Sequence, residues 1–149
     1  MTWLWMTALI ACQPYSDIDE AHEFHGISLG SPLSQHPELT LLREEGDVTI
    51  YQHPSENLSF GSAPLTYVHY RYWDEHLYQI QLGTAGSKEL LDAFTTVYGT
   101  PSFETPWEWH GDQVHARFKG SLSHKGAKLF LTDKALDARK EKASRASTP

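Results

Sequence analysis

The sequence predicts an α+β domain in which an antiparallel sheet of about five to six strands packs against one main helix. Segments of alternating apolar residues, joined by short turn sequences, precede and follow a single amphipathic segment at 87–98. The chain has 149 residues, of which 40% are hydrophobic, so it can bury the core of one ordinary domain.

The strands before the amphipathic segment are predicted from the alternation of apolar and polar residues. Short strands are expected around Ile27 and over residues 47–52. The aromatic run 65–73 and the run 77–82 flank the turn sequence Asp74-Glu75, which predicts a hairpin. In the second strand of this hairpin, the residues expected on one face are Tyr78, Ile80 and Leu82.

One helix is predicted over residues 87–98, because five apolar residues fall there at helical spacing. Ser87 is the expected N-cap, and Gly99 followed by Pro101 ends the helix. The apolar stripe consists of Leu90, Leu91, Phe94, Val97 and Tyr98. Such a stripe is more typical of a core face than of a partner-binding helix.

Three further strands are predicted after the helix. Alternating apolar residues at 107–109 and 114–118 flank the turn sequence Gly111-Asp112, which predicts a second hairpin. A last strand is expected at 127–131. Residues 133–149 combine strong helix propensity with a thin apolar face, so we expect a basic tail that is helical or disordered.

Residues 1–11 carry no charge and are too short to span a bilayer as a helix. They end in Leu9-Ile10-Ala11-Cys12, which resembles a bacterial lipobox. The resemblance implies that residues 1–11 are a signal peptide and that Cys12 carries a lipid, which anchors the protein to a membrane on the periplasmic side of the bacterial envelope. Gln13 suits delivery to the outer membrane. A cytoplasmic protein is the alternative, because no Lys or Arg precedes the apolar run.

The polar residues 12–23 predict a tether behind the lipidated cysteine, and residues 24–132 are expected to form the single folded domain. Three short motifs lie at strand and helix ends of that domain. They are Gly26-Ile27-Ser28-Leu29-Gly30, Tyr98-Gly99-Thr100-Pro101, and Trp107-Glu108-Trp109 with Gly111. Together they resemble a pattern seen in a family of small uncharacterised exported bacterial proteins. The resemblance implies the fold and the export, and it implies no activity.

The net charge of −7 is distributed unevenly along the chain. Residues 1–56 carry −8, residues 57–114 carry −5 and residues 115–149 carry +6. The overall acidity argues against nucleic acid as a partner, because a nucleic-acid binder needs a basic surface. The single cysteine excludes an intramolecular disulfide and a cysteine-based zinc cluster.

The sequence contains no nucleophile elbow, no phosphate-binding loop, no dinucleotide-binding glycine motif and no His-Glu-x-x-His zinc motif. We therefore predict no catalytic residue, no cofactor and no enzyme activity. A hydrolase that uses His and Glu of the sheet face is the alternative.

Nine histidines raise the alternative of a metal-binding protein. His22 and His25 are the weak candidates, because they lie three residues apart among acidic residues and could collect Zn²⁺, Cu²⁺ or Ni²⁺. Scattered surface histidines are the favoured explanation of this composition, so no metal site is predicted.

The sheet offers a candidate binding face. If Val68, Tyr70 and Tyr72 point into the core, their neighbours point outward with the outward residues of the second hairpin. These eight residues are Tyr67, His69, Arg71, Trp73, Glu108, His110, His115 and Arg117. Aromatic residues with Arg are enriched at interfaces, so we expect a binding or accessory role towards an envelope protein, peptide or glycan. The alternative is that a helix or the tail covers this face, or that inward and outward are reversed.

Overall fold

The computed structural model of the chain describes residues 16–102, 107–120 and 126–146. The strands are β1 (Glu23–Phe24), β2 (Ile27–Ser28), β3 (Thr40–Glu45), β4 (Val48–Gln52), β5 (Ser59–Phe60), β6 (Ala63–Pro64), β7 (Tyr67–Trp73), β8 (His76–Thr84), β9 (Trp107–His110), β10 (Val114–Gly120) and β11 (Ala127–Asp133). The helices are α1 (Ser87–Tyr98) and α2 (Lys134–Ala146), and two 3₁₀ turns cover Ile18–His22 and Leu33–Gln35.

The main sheet has seven strands in the order β3-β4-β7-β8-β11-β10-β9, and every neighbouring pair is antiparallel. Two small two-stranded sheets, β1-β2 and β5-β6, accompany it. The predicted α+β class with an antiparallel sheet is therefore confirmed, and the sheet is larger than the predicted five to six strands.

The additional strand is β3, which pairs with β4 at one edge of the sheet. All six of its residues are exposed, including Leu41 and Leu42. Because neither face of β3 is buried, its sequence does not alternate between apolar and polar residues, and alternation was the signal used to predict strands.

The face of the sheet that packs against α1 carries the main core. Tyr70 and Tyr72 on β7, Phe118 on β10 and Phe94 on α1 are fully buried in it. Val68, Tyr70 and Tyr72 point into this core, which is the first of the two orientations that the sequence left open. Each large side chain buried in this way contributes about 1.5–3 kcal/mol to stability.

A β-bulge places Tyr78 on the other face. The pairing of β7 with β8 shifts by one residue after Arg71, which leaves Tyr78 as the extra residue. The prediction that Tyr78 shares a face with Ile80 and Leu82 is therefore wrong. Tyr78 instead belongs to a second, smaller core beneath α2, which also contains Val48, Ile50 and Leu136, with Trp73 packed against it.

Helix α1 has the predicted bounds but a different N-cap. Gly86 occupies the N-cap position without a side-chain hydrogen bond, and Ser87 is buried inside the first turn. At the other end, Gly99 adopts a φ of 80° and donates its N–H to the carbonyl oxygen of Thr95, as expected for a glycine that ends a helix.

The folded domain begins earlier than predicted. Residues 18–22 form a 3₁₀ turn whose Ile18 and Ala21 lie in the main core, so the second half of the predicted 12–23 tether is part of the domain. At the other end, the predicted 133–149 tail is helical from Lys134 to Ala146. The predicted signal peptide 1–11, Cys12 and Gln13 lie outside the described residues.

None of the helices in the described residues has the length and hydropathy of a membrane span.

Candidate metal centre

The eight residues predicted to form a binding face do share one face of the sheet, opposite the main core. On β7 the four residues alternate with buried ones. On β9 and β10, Arg117 pairs with Glu108 and His115 pairs with His110, while Ala116 between the two pairs is buried. The face is nevertheless divided. Strands β8 and β11 separate the four residues on β7 from the four on β9 and β10, a distance of about 14 Å at the usual strand spacing.

The residues on β7 are largely occupied by internal contacts. Arg71 donates from Nε to the hydroxyl oxygen of Tyr78 at 3.2 Å and lies 3.5 Å from a carboxylate oxygen of Glu45. Trp73 donates its indole N–H to Asp47 at 3.0 Å and lies under the guanidinium of Arg139 on α2. The alternative that a helix covers part of this face therefore holds around Trp73.

The other two residues on β7 contact each other. The rings of Tyr67 and His69 stack with their centroids 4.3 Å apart, and Gln81 donates to the hydroxyl oxygen of Tyr67. Burial lowers the pKa of His69, and the positive charges of Arg43 and Arg71 add to that effect. This group presents a packed surface to solvent.

The residues on β9 and β10 form a compact cluster of ligand atoms. Glu108 and His110 are two residues apart on β9, so they share a face, and His115 is the direct cross-strand partner of His110. One side-chain ligand atom from each of the three lies within 4.8 Å of the others. In the parts of the chain that the structure describes, no other group of three His, Cys, Asp or Glu residues meets this distance.

The two histidines approach different oxygens of the Glu108 carboxylate, at distances close to those between ligand atoms around a metal ion. Nε2 of His110 lies 3.4 Å from Oε2 of Glu108, and Nε2 of His115 lies 3.5 Å from Oε1. These distances are long for hydrogen bonds, whose usual range is about 2.7–3.2 Å. Ligand atoms about 2.0–2.2 Å from a tetrahedral zinc ion lie about 3.4 Å from one another.

Burial and neighbouring charges set the protonation state of His115. Its Nε2 is buried and has no hydrogen-bond partner among the described residues. Burial lowers the pKa of His115, and the nearby His110 and Arg117 act in the same direction against Glu108. The imidazole is therefore mainly neutral at pH 7, which is the form that binds metal ions.

Asp19 fixes the turn that joins β9 to β10. Its carboxylate accepts backbone N–H groups of Asp112, Gln113 and Val114 at 3.0, 2.9 and 2.9 Å. Burial would raise the pKa of Asp19, but these three donors and the Lys134 ammonium outweigh it and hold the pKa below its ordinary value.

Two further contacts complete the support of the hairpin. A Cβ atom on Gly111 would overlap the Asp19 carboxylate, which explains the glycine there. On β9, between Glu108 and His110, the indole of Trp109 is buried and donates to the carbonyl oxygen of Gly99 at 2.9 Å. The hairpin is thus anchored to both the N-terminal turn and the end of α1.

The structure separates the two histidines that the sequence singled out for metal. Nδ1 of His22 lies 3.0 Å from the carbonyl oxygen of Asp19, whereas Nδ1 of His25 pairs with the Glu56 carboxylate at 2.7 Å. Residues 22–25 run from a 3₁₀ turn into β1, so the helical spacing assumed for the pair does not exist. Neither histidine belongs to the cluster of ligand atoms.

A pocket of 330 Å³ opens beside the cluster, between β10, β11 and α2. Arg117 and Lys119 line it from the sheet, while Asp137 and Glu141 line it from α2. Burial raises the pKa of Asp137, and the neighbouring negative charge of Glu141 adds to that effect. His115 also lines this pocket, so a ligand bound there would lie next to the cluster.

The chain matches no protein-family model, no curated protein and no solved structure.

Proposed function

We propose that this protein binds one divalent transition-metal ion through Glu108, His110 and His115, as an accessory protein of the bacterial envelope. The mutual approach of one carboxylate and two imidazoles carries the proposal. Two imidazoles and one carboxylate form a donor set that suits zinc and the neighbouring first-row metals. The structured hairpin replaces the His22 and His25 segment as the expected metal ligands.

The chemistry of such a site follows from its ligand count. Three protein ligands leave at least one position of a tetrahedral ion open. The open side allows the ion to accept water or a further ligand, as suits a protein that carries or presents a metal. The hairpin holds the three side chains near one another before the ion arrives. The rings of His110 and His115 stack with centroids 4.4 Å apart and 19° between their planes, so at least one ring must turn for both imidazoles to face the ion.

Calorimetric titration of the metal-free protein with Zn²⁺ tests the proposal. We expect one zinc ion per chain, and Glu108→Gln or His115→Ala should each weaken binding at least about tenfold. Loss of a ligand should cost no less than loss of its outer hydrogen-bond partners, which typically costs about 10–100-fold.

A double variant, His22→Ala with His25→Ala, is the matched control. It removes two histidines that the structure places outside the cluster, so its zinc affinity should equal that of the wild type. Loss of affinity in this control, together with retained affinity in His115→Ala, would contradict the proposal and favour the N-terminal histidines.

The location in the envelope rests on Leu9-Ile10-Ala11-Cys12 and its resemblance to a lipobox. We expect the protein isolated from bacterial membranes to begin at Cys12 and to carry a lipid on its sulfur. Intact mass spectrometry measures both features at once. Cys12→Ala should move the protein out of the membrane fraction. Ser16→Ala is the control: it removes a hydroxyl group four residues after the cysteine and should leave the protein in the membrane fraction. An unmodified chain that retains residues 1–11 would show that the protein is not exported as a lipoprotein.

A further inference from the structure

The pocket beside Glu108, His110 and His115 has two walls of opposite charge. Strand β10 supplies the cations Arg117 and Lys119, and helix α2 supplies the carboxylates Asp137 and Glu141. The two carboxylates are four residues apart, so they project from the same side of the helix. The walls therefore present positive charge and negative charge to the same half-open volume.

The two walls do not neutralise each other. Among the described residues, neither Asp137 nor Glu141 forms a salt bridge, and Lys119 forms none either. Arg117 approaches only Glu108, at 3.5 Å, and its buried Nε lacks a hydrogen-bond partner within the described part of the chain. The opposite charges are thus held apart by the width of the pocket.

The base of the pocket is partly apolar. Phe130 on β11 lines it between the charged walls, and the ammonium of Lys119 lies 6.0 Å from the centre of that ring. Next to Phe130, Thr132 accepts a hydrogen bond from the Gln79 amide at 3.0 Å, so these two polar groups bind each other. The lining thus combines one aromatic ring, a cationic side and an anionic side with the neutral polar groups of Gln79 and Thr132 and with His115.

We propose that this pocket binds a free α-amino acid with an apolar side chain. Its carboxylate would lie on Arg117, its ammonium group between Asp137 and Glu141, and its side chain against Phe130. A volume of 330 Å³ is at the lower end of the range for small-molecule sites, about 300–1,000 Å³, and is sufficient for one amino acid. A simple anion would pair with the cationic wall but would be repelled by the two carboxylates. A simple cation would pair with the carboxylates but would be repelled by Arg117 and Lys119.

Calorimetric titration of the zinc-free protein with L-phenylalanine tests this assignment. N-acetyl-L-phenylalanine lacks the ammonium group and phenethylamine lacks the carboxylate, and each should bind at least about tenfold more weakly than phenylalanine. Arg117→Gln and Glu141→Gln should weaken phenylalanine binding to a similar degree. Lys88→Gln on α1 and Glu20→Gln in the N-terminal turn are the matched controls for loss of one charge, and both should bind like the wild type.

The amino-acid proposal fails if phenylalanine gives no heat of binding, or if the two analogues bind as tightly as phenylalanine does. Circular dichroism of each variant separates loss of the ligand contact from loss of the fold. The zinc titration uses no amino acid and the phenylalanine titration uses no metal, so failure of one proposal is distinguishable from failure of the other.

Discussion

Replacing Phe94 by alanine should lower the free energy of unfolding by about 3–5 kcal/mol, the usual cost of removing a buried Phe side chain. Phe94 is fully buried at the centre of the main core. Its ring centroid lies 4.7 Å from those of both Tyr98 and Trp109, and 5.5 Å from that of Phe60. The substitution therefore opens a cavity that several aromatic rings line, and such rings close a cavity poorly.

Val97→Ala on the same helix is the matched control for Phe94→Ala. Val97 is 38% exposed and alanine has the higher helix propensity, so the free energy of unfolding should change by less than about 0.5 kcal/mol. Urea denaturation followed by circular dichroism measures both variants. A loss below about 1 kcal/mol for Phe94→Ala would show that α1 does not pack on the sheet in the way described.

The importance of Phe94 illustrates which parts of the fold the sequence predicts well. The helix was predictable because burial of one face imposes a 3.6-residue period, and the hairpins β7-β8 and β9-β10 because burial imposes a period of two. Strand β3 lacks both signals, since it lies exposed at the edge of the sheet. The bulge at Tyr78 was equally hidden, because a one-residue shift of register depends on tertiary packing beneath α2.

The sequence predicts on which face of the sheet the candidate site lies, but it does not predict which residues face each other across the two strands. Alternation placed Glu108, His110 and His115 on the outward face, as the structure shows. To recognise the candidate metal ligands, one must also know that His110 lies directly opposite His115, and the length of the turn sets that register. The sequence motif Glu-x-His followed by a turn and a histidine was therefore a usable signal, if a weak one.

The metal candidates His22 and His25 show the opposite error. Proximity in sequence brings two side chains together only if the right secondary structure forms, and i,i+3 spacing requires a helix. Asp19, three residues before His22, was not recognised as a functional residue. Its partners lie more than ninety residues away in the sequence, so no local pattern indicates its role.

The second large effect is expected for Asp19→Ala, which should lower the free energy of unfolding by about 1–3 kcal/mol. Three backbone N–H groups at the turn between β9 and β10 would lose a charged acceptor, and the one from Val114 is partly buried. Glu20→Ala, which removes an exposed carboxylate from the same 3₁₀ turn, is the matched control and should be nearly neutral. If Asp19→Ala and Glu20→Ala unfold at the same urea concentration, Asp19 does not hold the hairpin.

The pH dependence of the Asp19→Ala effect distinguishes the electrostatic contribution of the Asp19 carboxylate from its contribution to packing. Because the pKa of Asp19 is lower in the folded state than in the unfolded chain, the stabilisation by its carboxylate is complete above about pH 5. The stabilisation is lost as the pH falls through the folded-state pKa, when the carboxylate takes up a proton. The difference between wild type and Asp19→Ala should therefore stay constant from pH 7 to 5 and shrink below pH 4. A difference that does not change on acidification would show that Asp19 acts by packing, whereas a shrinking one would assign its contribution to the β9-β10 hairpin to the charge of its carboxylate.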